Sequence, residues 1–363
     1  MRKLSVSTGI LTVLVGIAAA SCSGSDATSA TDGPDGSSSG TDGGGGGGDG
    51  GNVGADGGGG GGDGSTGSDA GKTDSGTTKD GGGVGAIKTV FLIVMENHNW
   101  SSIKGNGSAP YINGLLATAA HAEAYYDNPK AAHPSEPNYL WLEGGDNFAI
   151  LDDNNPSVNH QATTQHLVTA LTTAGVSWRA YAEGISGNNC PITVTGLYAP
   201  KHMPMVYFDD IAGNPPSAGN ATCKAGVRPY SELAADLTGN KVARYNFIVP
   251  DQCNDMHNTV GCATLDSVKN GDTWLAAEVP KLLSSQAYAD GGAIFITWDE
   301  SEGGENPIGM IVLSSKAKVG YSNTTKYYHS SMLRTVQEIF GVTPLIRDAA
   351  NQPSLSDLFT SFP

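Results

Sequence analysis

The stretch Thr89-Val90-Phe91-Leu92-Ile93-Val94-Met95-Glu96-Asn97 constrains the fold of this chain most tightly. It is apolar without interruption, rich in β-branched residues, and stops at a carboxylate and a carboxamide. A run this short, with no polar alternation, predicts a strand buried on both faces of a parallel sheet. In such sheets ligands gather outside the carboxyl ends of the strands. The pattern returns in Gly292-Ala293-Ile294-Phe295-Ile296-Thr297-Trp298-Asp299-Glu300. Two buried strands that each deliver hard oxygen donors at their tips predict a site for a divalent cation.

Further elements follow from periodicity and punctuation. Strands are expected at Val176–Ala182, Tyr245–Val249 and Ile308–Leu313. Helices are expected at Ala109–Ala120, Gln161–Ala174, Asp272–Ser284 and Ser331–Phe340, with Asp272 as an N-cap and Pro280 as a bend. Alternating strands and helices over residues 86–363 predict one α/β domain, a mostly parallel central sheet flanked by helices.

The remainder of the 363 residues is of a different kind. Residues 1–22 read as an export signal: Arg2 and Lys3, an apolar core from Ile10 to Ala20, then Ala19-Ala20-Ser21-Cys22. That ending resembles a bacterial lipobox, which predicts a lipidated Cys22 and attachment to the outer membrane or cell surface, with a secreted or periplasmic product as the alternative. Residues 23–85 are Gly, Ser, Asp and Thr with almost nothing to bury, so they are expected to form a disordered tether. At this length a flexible coil has a root-mean-square reach of about 40 Å.

The formal charge is −16; the tether carries ten Asp and two Lys (−8) and the signal two basic residues (+2), which leaves −10 on residues 86–363. That balance excludes nucleic acid, or an anionic membrane, held by a diffuse basic surface. An anionic substrate must instead meet a local cation or a few focused donors. Beyond Cys22 there are four cysteines, Cys190, Cys223, Cys253 and Cys262. An even count in an exported chain predicts two disulfides with three possible pairings, and local closure favours Cys190–Cys223 with Cys253–Cys262. The spacings lack the close Cys-x-x-Cys pairs of a zinc site.

Three more stretches carry chemistry. In His133-Pro134-Ser135-Glu136-Pro137-Asn138-Tyr139, prolines on either side of Ser135 predict an extended, turn-like backbone that holds the hydroxyl rigidly, with His133 as a helper. In Cys253-Asn254-Asp255-Met256-His257, the histidine could donate to a phosphate oxygen or protonate a leaving group, and Asp255 could orient a ring or bind metal. Ser330 or Ser331 is expected to N-cap the last helix, with His329 just before it, where an anion is favoured. His98 could join the site through proximity; His121, His160, His166 and His202 are read as structural or exposed.

Together and in this order, Glu96-Asn97-His98, the His133–Tyr139 stretch, Asn254-Asp255-Met256-His257, Trp298-Asp299-Glu300 and His329 to Thr335 resemble the phosphoesterase family of acid phosphatases and bacterial phospholipases C. The resemblance covers nearly all of residues 86–345 and implies an alkaline-phosphatase-like core. It implies Glu96, Asn97, Asp299 and Glu300 as ligands of a divalent metal, with Ser135 as nucleophile at that metal. It also implies His257 and Asn97 as phosphate contacts, and gives catalytic places to His133, Asp255 and His329. The phospholipase branch follows Glu-Asn with Arg-Ser-Phe-Asp and carries two aspartates in its later pair. This chain has His98-Asn99-Trp100-Ser101 and Asp299-Glu300, which favours the phosphatase branch. The expectation is a metal-dependent phosphatase acting on a phosphorylated small molecule or phospholipid. A phospholipase C or other phosphodiesterase is the alternative. A surface binding protein without turnover would have no need of the ligands and the hydroxyl together.

Overall fold

The computed structural model describes residues 87–130 and 132–363, so the expected signal, Cys22 and the tether lie outside the described residues. Eight strands form one sheet: β1 (Thr89–Met95), β2 (Ala120–Ala122), β3 (Trp178–Ala182), β4 (Val227–Pro229), β5 (Tyr245–Val249), β6 (Gly292–Trp298), β7 (Met310–Ser314) and β8 (Ser322–Asn323). Their order is β4-β3-β5-β1-β6-β7-β2-β8. β1 runs parallel to both of its neighbours, and only β7 pairs antiparallel, against β6 and β2. The fold is α/β with a mostly parallel sheet, as the alternation of elements predicts.

Successive residues of a strand point to opposite faces, and in β1 every residue from Val90 to Met95 is buried. Both faces of the central strands are therefore covered. Each large side chain so buried contributes about 1.5–3 kcal/mol. That surplus lets the strand carry a desolvated carboxylate at its end. The register sets Met95 opposite Trp298, so Glu96 and Asp299 leave the sheet side by side.

Five helices matter for the site: α1 (Pro110–Leu115), α2 (Ser135–Gly144), α3 (Leu167–Thr173), α4 (Ser267–Leu283) and α5 (His329–Phe340). α1 packs on α4, while α2 packs on α3 and α5. Three expectations need correction. Ser135 does not sit in an extended turn; it opens α2, all ten residues of which are buried. Pro137 lies within the first turn, where the missing N–H costs nothing. Asp272 does not cap its own helix. Asp266 does so by accepting from Lys269 N, and Asp272 accepts from Tyr111 N and Ile112 N, which closes the start of α1. Pro280 falls in the last turns of α4, which runs on to Leu283.

Disulfides join Cys190 to Cys223 and Cys253 to Cys262, the locally closed pairing. The second closes the loop that carries Asp255–His257. That loop is pressed from below by α4: a Cβ on Gly271 would stand 2.3 Å from Met256 Cγ, so only glycine allows this approach. Among the described residues no helix is long and apolar enough to cross a membrane.

Candidate active site

The tips of β1 and β6 lock together first. Asn97 N donates to Asp299 Oδ1 over 2.9 Å, and Glu300 N donates to the same oxygen over 2.6 Å. Asn97 has φ +42°, a left-handed conformation that asparagine tolerates better than most residues and that often marks functional turns. Glu96 N donates to the carbonyl of Asp255, so the loop after β5 is tied to the same corner.

The Glu96 carboxylate meets two hydroxyl donors from α2 and an imidazole from a second segment. Ser135 Oγ donates to Oε2 over 3.1 Å and Tyr139 OH to Oε1 over 2.8 Å. His202 Nε2 stands 3.1 Å from Oε1 but makes no aligned hydrogen bond there. Its Nδ1 is 3.6 Å from Asp255 Oδ2, and its ring stacks on Tyr139 with centroids 5.2 Å apart. Read from sequence as structural or exposed, His202 is in fact buried at the centre of the site. A signal was present: Pro200-Lys201-His202-Met203-Pro204 brackets two polar residues with prolines, much as Pro134 and Pro137 bracket Ser135. Lys201 was missed with it. Its Nζ is 2.9 Å from Asp153 Oδ2 and 3.5 Å from Ser135 Oγ. Burial works to lower its pKa, but Glu96 and Asp153 outweigh that and raise it, so it is charged.

The remaining predicted residues divide by what they touch. Asp255 is fully buried, with Oδ1 accepting from His257 N over 2.8 Å. Met256 between them has φ +84°, a second left-handed residue at this corner. His257 is half-buried near His202, ring centroids 6.5 Å apart, and burial followed by the Lys201 charge lowers its pKa. His133 Nδ1 lies 2.7 Å from Glu300 Oε2, which also accepts from Asn138 Nδ2 over 2.9 Å. His329 stands behind Asp299: its Nε2 donates to the Asp299 carbonyl over 2.6 Å, and its Nδ1 accepts from Tyr125 OH over 3.1 Å. Both nitrogens are occupied, and burial lowers its pKa to about 4, so it is a neutral brace for Asp299. His98 is likewise engaged, by the Glu96 carbonyl and Ser267 Oγ.

Electrostatics describe a site whose buried carboxyl groups outnumber its one nearby ammonium, Lys201. Burial, then the neighbouring Asp299 and Asp255, pushes the Glu96 carboxyl well above its usual range; burial does the same to Asp255 and raises Asp299. Glu300 is pushed up to about 9 by burial and by Asp299. Several buried acceptors have no hydrogen bond at all: Asn97 Oδ1, Asp255 Oδ2 and Asp299 Oδ2. Unpaired buried polar atoms are costly, so a cluster of them needs a partner. Glu96, His202 and Asp255 can each point one ligand atom to a common place, those atoms lying within 4.8 Å of one another. Two carboxylates and an imidazole on this spacing fit a divalent cation.

Residues 106–343 match the phosphoesterase family. The chain is 30% identical over 272 residues to a phosphatidylinositol-3-phosphatase of Mycobacterium tuberculosis, covering 74% of this chain and 82% of that one. It is 28% identical over 266 residues to a probable acid phosphatase of Kluyveromyces lactis, covering 69% of this chain and 58% of that one. An acid phosphatase of Aspergillus fumigatus is 25% identical over 276 residues, and the chain spans 57% of its length. In structure, a protein of the alkaline phosphatase superfamily from Vibrio parahaemolyticus aligns with TM-score 0.50 at 11% identity, over 76% of this chain and 72% of that one, a likeness of fold alone. The chain belongs to the phosphoesterase family. It is a phosphoric ester hydrolase.

Proposed function

We propose that this enzyme hydrolyses phosphate monoesters with the help of a divalent cation and through a phosphoserine on Ser135. The observation that carries the reading is the placement of the Ser135 hydroxyl, 3.1 Å from the buried carboxylate of Glu96 at the tip of β1. Glu96, Asn97 and Asp299 at the strand ends, with Asp255 and His202, would hold the ion. Glu300 stands beside them, held by His133 and Asn138. When bound, a divalent cation acts as a Lewis acid that eases ionisation of a nearby hydroxyl and takes up charge on phosphoryl oxygens.

The chain's own residues supply the rest. Ser135 starts a helix, so its Oγ lies where backbone N–H groups favour an anion. As Oγ attacks phosphorus, its proton has Glu96 Oε2 as an acceptor already in place. The ester oxygen leaves with the bonding pair, and His257, in its protonated form and with its ring centroid 6.5 Å from that of His202, would give it a proton. Water then cleaves the phosphoserine. The names of the relatives extend the substrate class from small phosphate monoesters to phosphorylated inositol lipids. Export with a lipid anchor on Cys22 fits the two disulfides and would hold the enzyme at a membrane.

The test is hydrolysis of p-nitrophenyl phosphate and of a choline phosphodiester, each with and without chelator. The reading expects a chelator-sensitive rate on the monoester at least tenfold above that on the diester. The reverse ratio would move the enzyme to the phosphodiesterases, and no hydrolysis with any added cation would make it a binding protein.

A further inference from the structure

A cation enters this acidic site where the mechanism above does not use it. Lys201 sits in the short helical turn Pro200–His202, its side chain only 16% exposed. Its Nζ is 2.9 Å from Asp153 Oδ2 and 3.5 Å from Ser135 Oγ. Asp153 is itself fastened to the nucleophile's helix, because its Oδ1 accepts from Glu136 N over 3.0 Å in the first turn of α2. The ammonium, the carboxylate and the serine thus form one braced unit. His202, the next residue in the chain, reaches the carboxylates of Glu96 and Asp255. The same turn therefore supplies both the group facing the ion site and the group facing the hydroxyl.

The other side of Lys201 is open. A cavity of about 180 Å³ is lined by Asp153, Asn155, Val194, Ala199, Lys201 and Gln252. A lysine serving only to balance Asp153 could do so at the surface, without the cost of desolvating a long side chain. This one is drawn inward until its ammonium stands 3.5 Å from the Ser135 hydroxyl.

We propose that Lys201 is a further catalytic residue, whose ammonium contacts a non-bridging oxygen of the phosphoryl group in transfer, and that Asp153 is the positioning residue that holds it. This rests on the phosphoserine reading given above and deepens it. In that step the Ser135 Oγ lone pair forms the new O–P bond, and the hydroxyl proton passes to Glu96. The P–O bond to the alcohol breaks with both electrons on the alcohol oxygen, which is protonated by His257. Lys201 exchanges no proton; it pairs with the phosphoryl charge throughout, a contact that strengthens as charge gathers there.

The experiment uses the full-length enzyme with saturating divalent metal and compares Lys201→Met, Lys201→Arg and Asp153→Asn. It measures kcat and KM on p-nitrophenyl phosphate, inhibition by inorganic phosphate, and the metal concentration for half-maximal stabilisation. Removing a preorganised charge from a transferring group typically costs on the order of 10²–10³ in rate. Lys201→Met should lose kcat/KM on that scale and weaken phosphate inhibition at least about tenfold, with metal affinity changed less than about threefold. Lys201→Arg should recover a tenth or more of the lost kcat/KM, and Asp153→Asn should lower kcat about tenfold while metal affinity holds.

The proposal is overturned if Lys201→Met keeps kcat/KM within about threefold. It is equally overturned if that variant loses activity with phosphate inhibition unmoved, or if arginine fares no better than methionine. A wild-type enzyme inactive on every monoester overturns the function and this proposal together. A Ser135→Ala enzyme that stays active while Lys201→Met is impaired overturns the phosphoserine route alone and supports the lysine contact.

Discussion

Ser135 Oγ donates to Glu96 Oε2 across 3.1 Å although 39 positions separate the two residues along the chain. One comes from the first turn of a buried helix and the other from the tip of the central strand. Neither can move far without disturbing the core. A hydroxyl fixed in this way against a carboxylate is pre-oriented for attack, and orientation is a large part of what an active site supplies.

Ser135→Ala should therefore lower kcat on a phosphate monoester by on the order of 10³ or more, as loss of a covalent nucleophile does. Metal-dependent stabilisation should persist, because the acceptors of Glu96, Asp255 and Asp299 remain. Steady-state kinetics alongside a thermal shift with added divalent ion check both parts. Near-normal turnover in this variant would rule out the covalent route.

His202→Ala should weaken metal binding by at least about tenfold, a loss in the range seen when groups around a metal are removed. It takes away the imidazole next to Glu96 and Asp255, and also the ring stacked on Tyr139. Titration of activity against metal concentration reads the effect directly. An unchanged half-saturation point would mean that the ion is held by the strand-end residues without His202.

The carboxyl cluster gives a signed dependence on pH. Burial raises the folded-state pKa values of Glu96, Asp255 and Asp299, and takes Glu300 to about 9. A carboxyl raised in this way favours the folded state at pH below its unfolded value. That contribution is lost as pH rises toward the folded value. The metal-free enzyme should thus be more stable near pH 5 than near pH 8. A divalent ion replaces the protons, so chelation should lower Tm more at pH 8 than at pH 5. Scanning calorimetry with and without chelator tests this, and equal drops at the two pH values would contradict it.

Away from the site, His166 is a buried pin. Its Nδ1 lies 2.8 Å from Glu143 Oε1 and its Nε2 3.0 Å from Asp210 Oδ1, and the ring stacks on Phe208 with centroids 3.9 Å apart. Burial works to lower its pKa, but Asp210 and Glu143 outweigh that and raise it. His166→Ala should cost about 3–5 kcal/mol, because it leaves Glu143 buried without its charge partner. The pair's contribution is complete below the ordinary histidine pKa and is lost as pH rises through the raised one. Urea unfolding at pH 6 and pH 9 would show the penalty shrinking at the higher pH; a constant penalty would mean that packing against Phe208 dominates.

Much of the fold was legible along the chain. β1, β5 and β6 announce themselves as short apolar runs, since a strand covered on both faces has no room for polar alternation. Glu96 and Asp299 could be picked out because each ends such a run. Ser135 was found for an incomplete reason: two prolines are compatible with an extended turn or with the first turn of a helix. The choice fell to α2, whose ten residues all bury against neighbouring elements. Asp272 had the look of a cap and is one, but for α1.

The sequence by itself determined the central strands and their acidic tips, because each depends on residues close together in the chain. Only the tertiary structure decided that Lys201 and His202 stand between Ser135, Glu96 and Asp255. The prolines at 200 and 204 hint at a rigid turn, but they do not say what that turn faces. Their roles come from the return of a long connection across the carboxyl end of the sheet, where burial and neighbouring charge turn an unremarkable lysine and histidine into parts of the site.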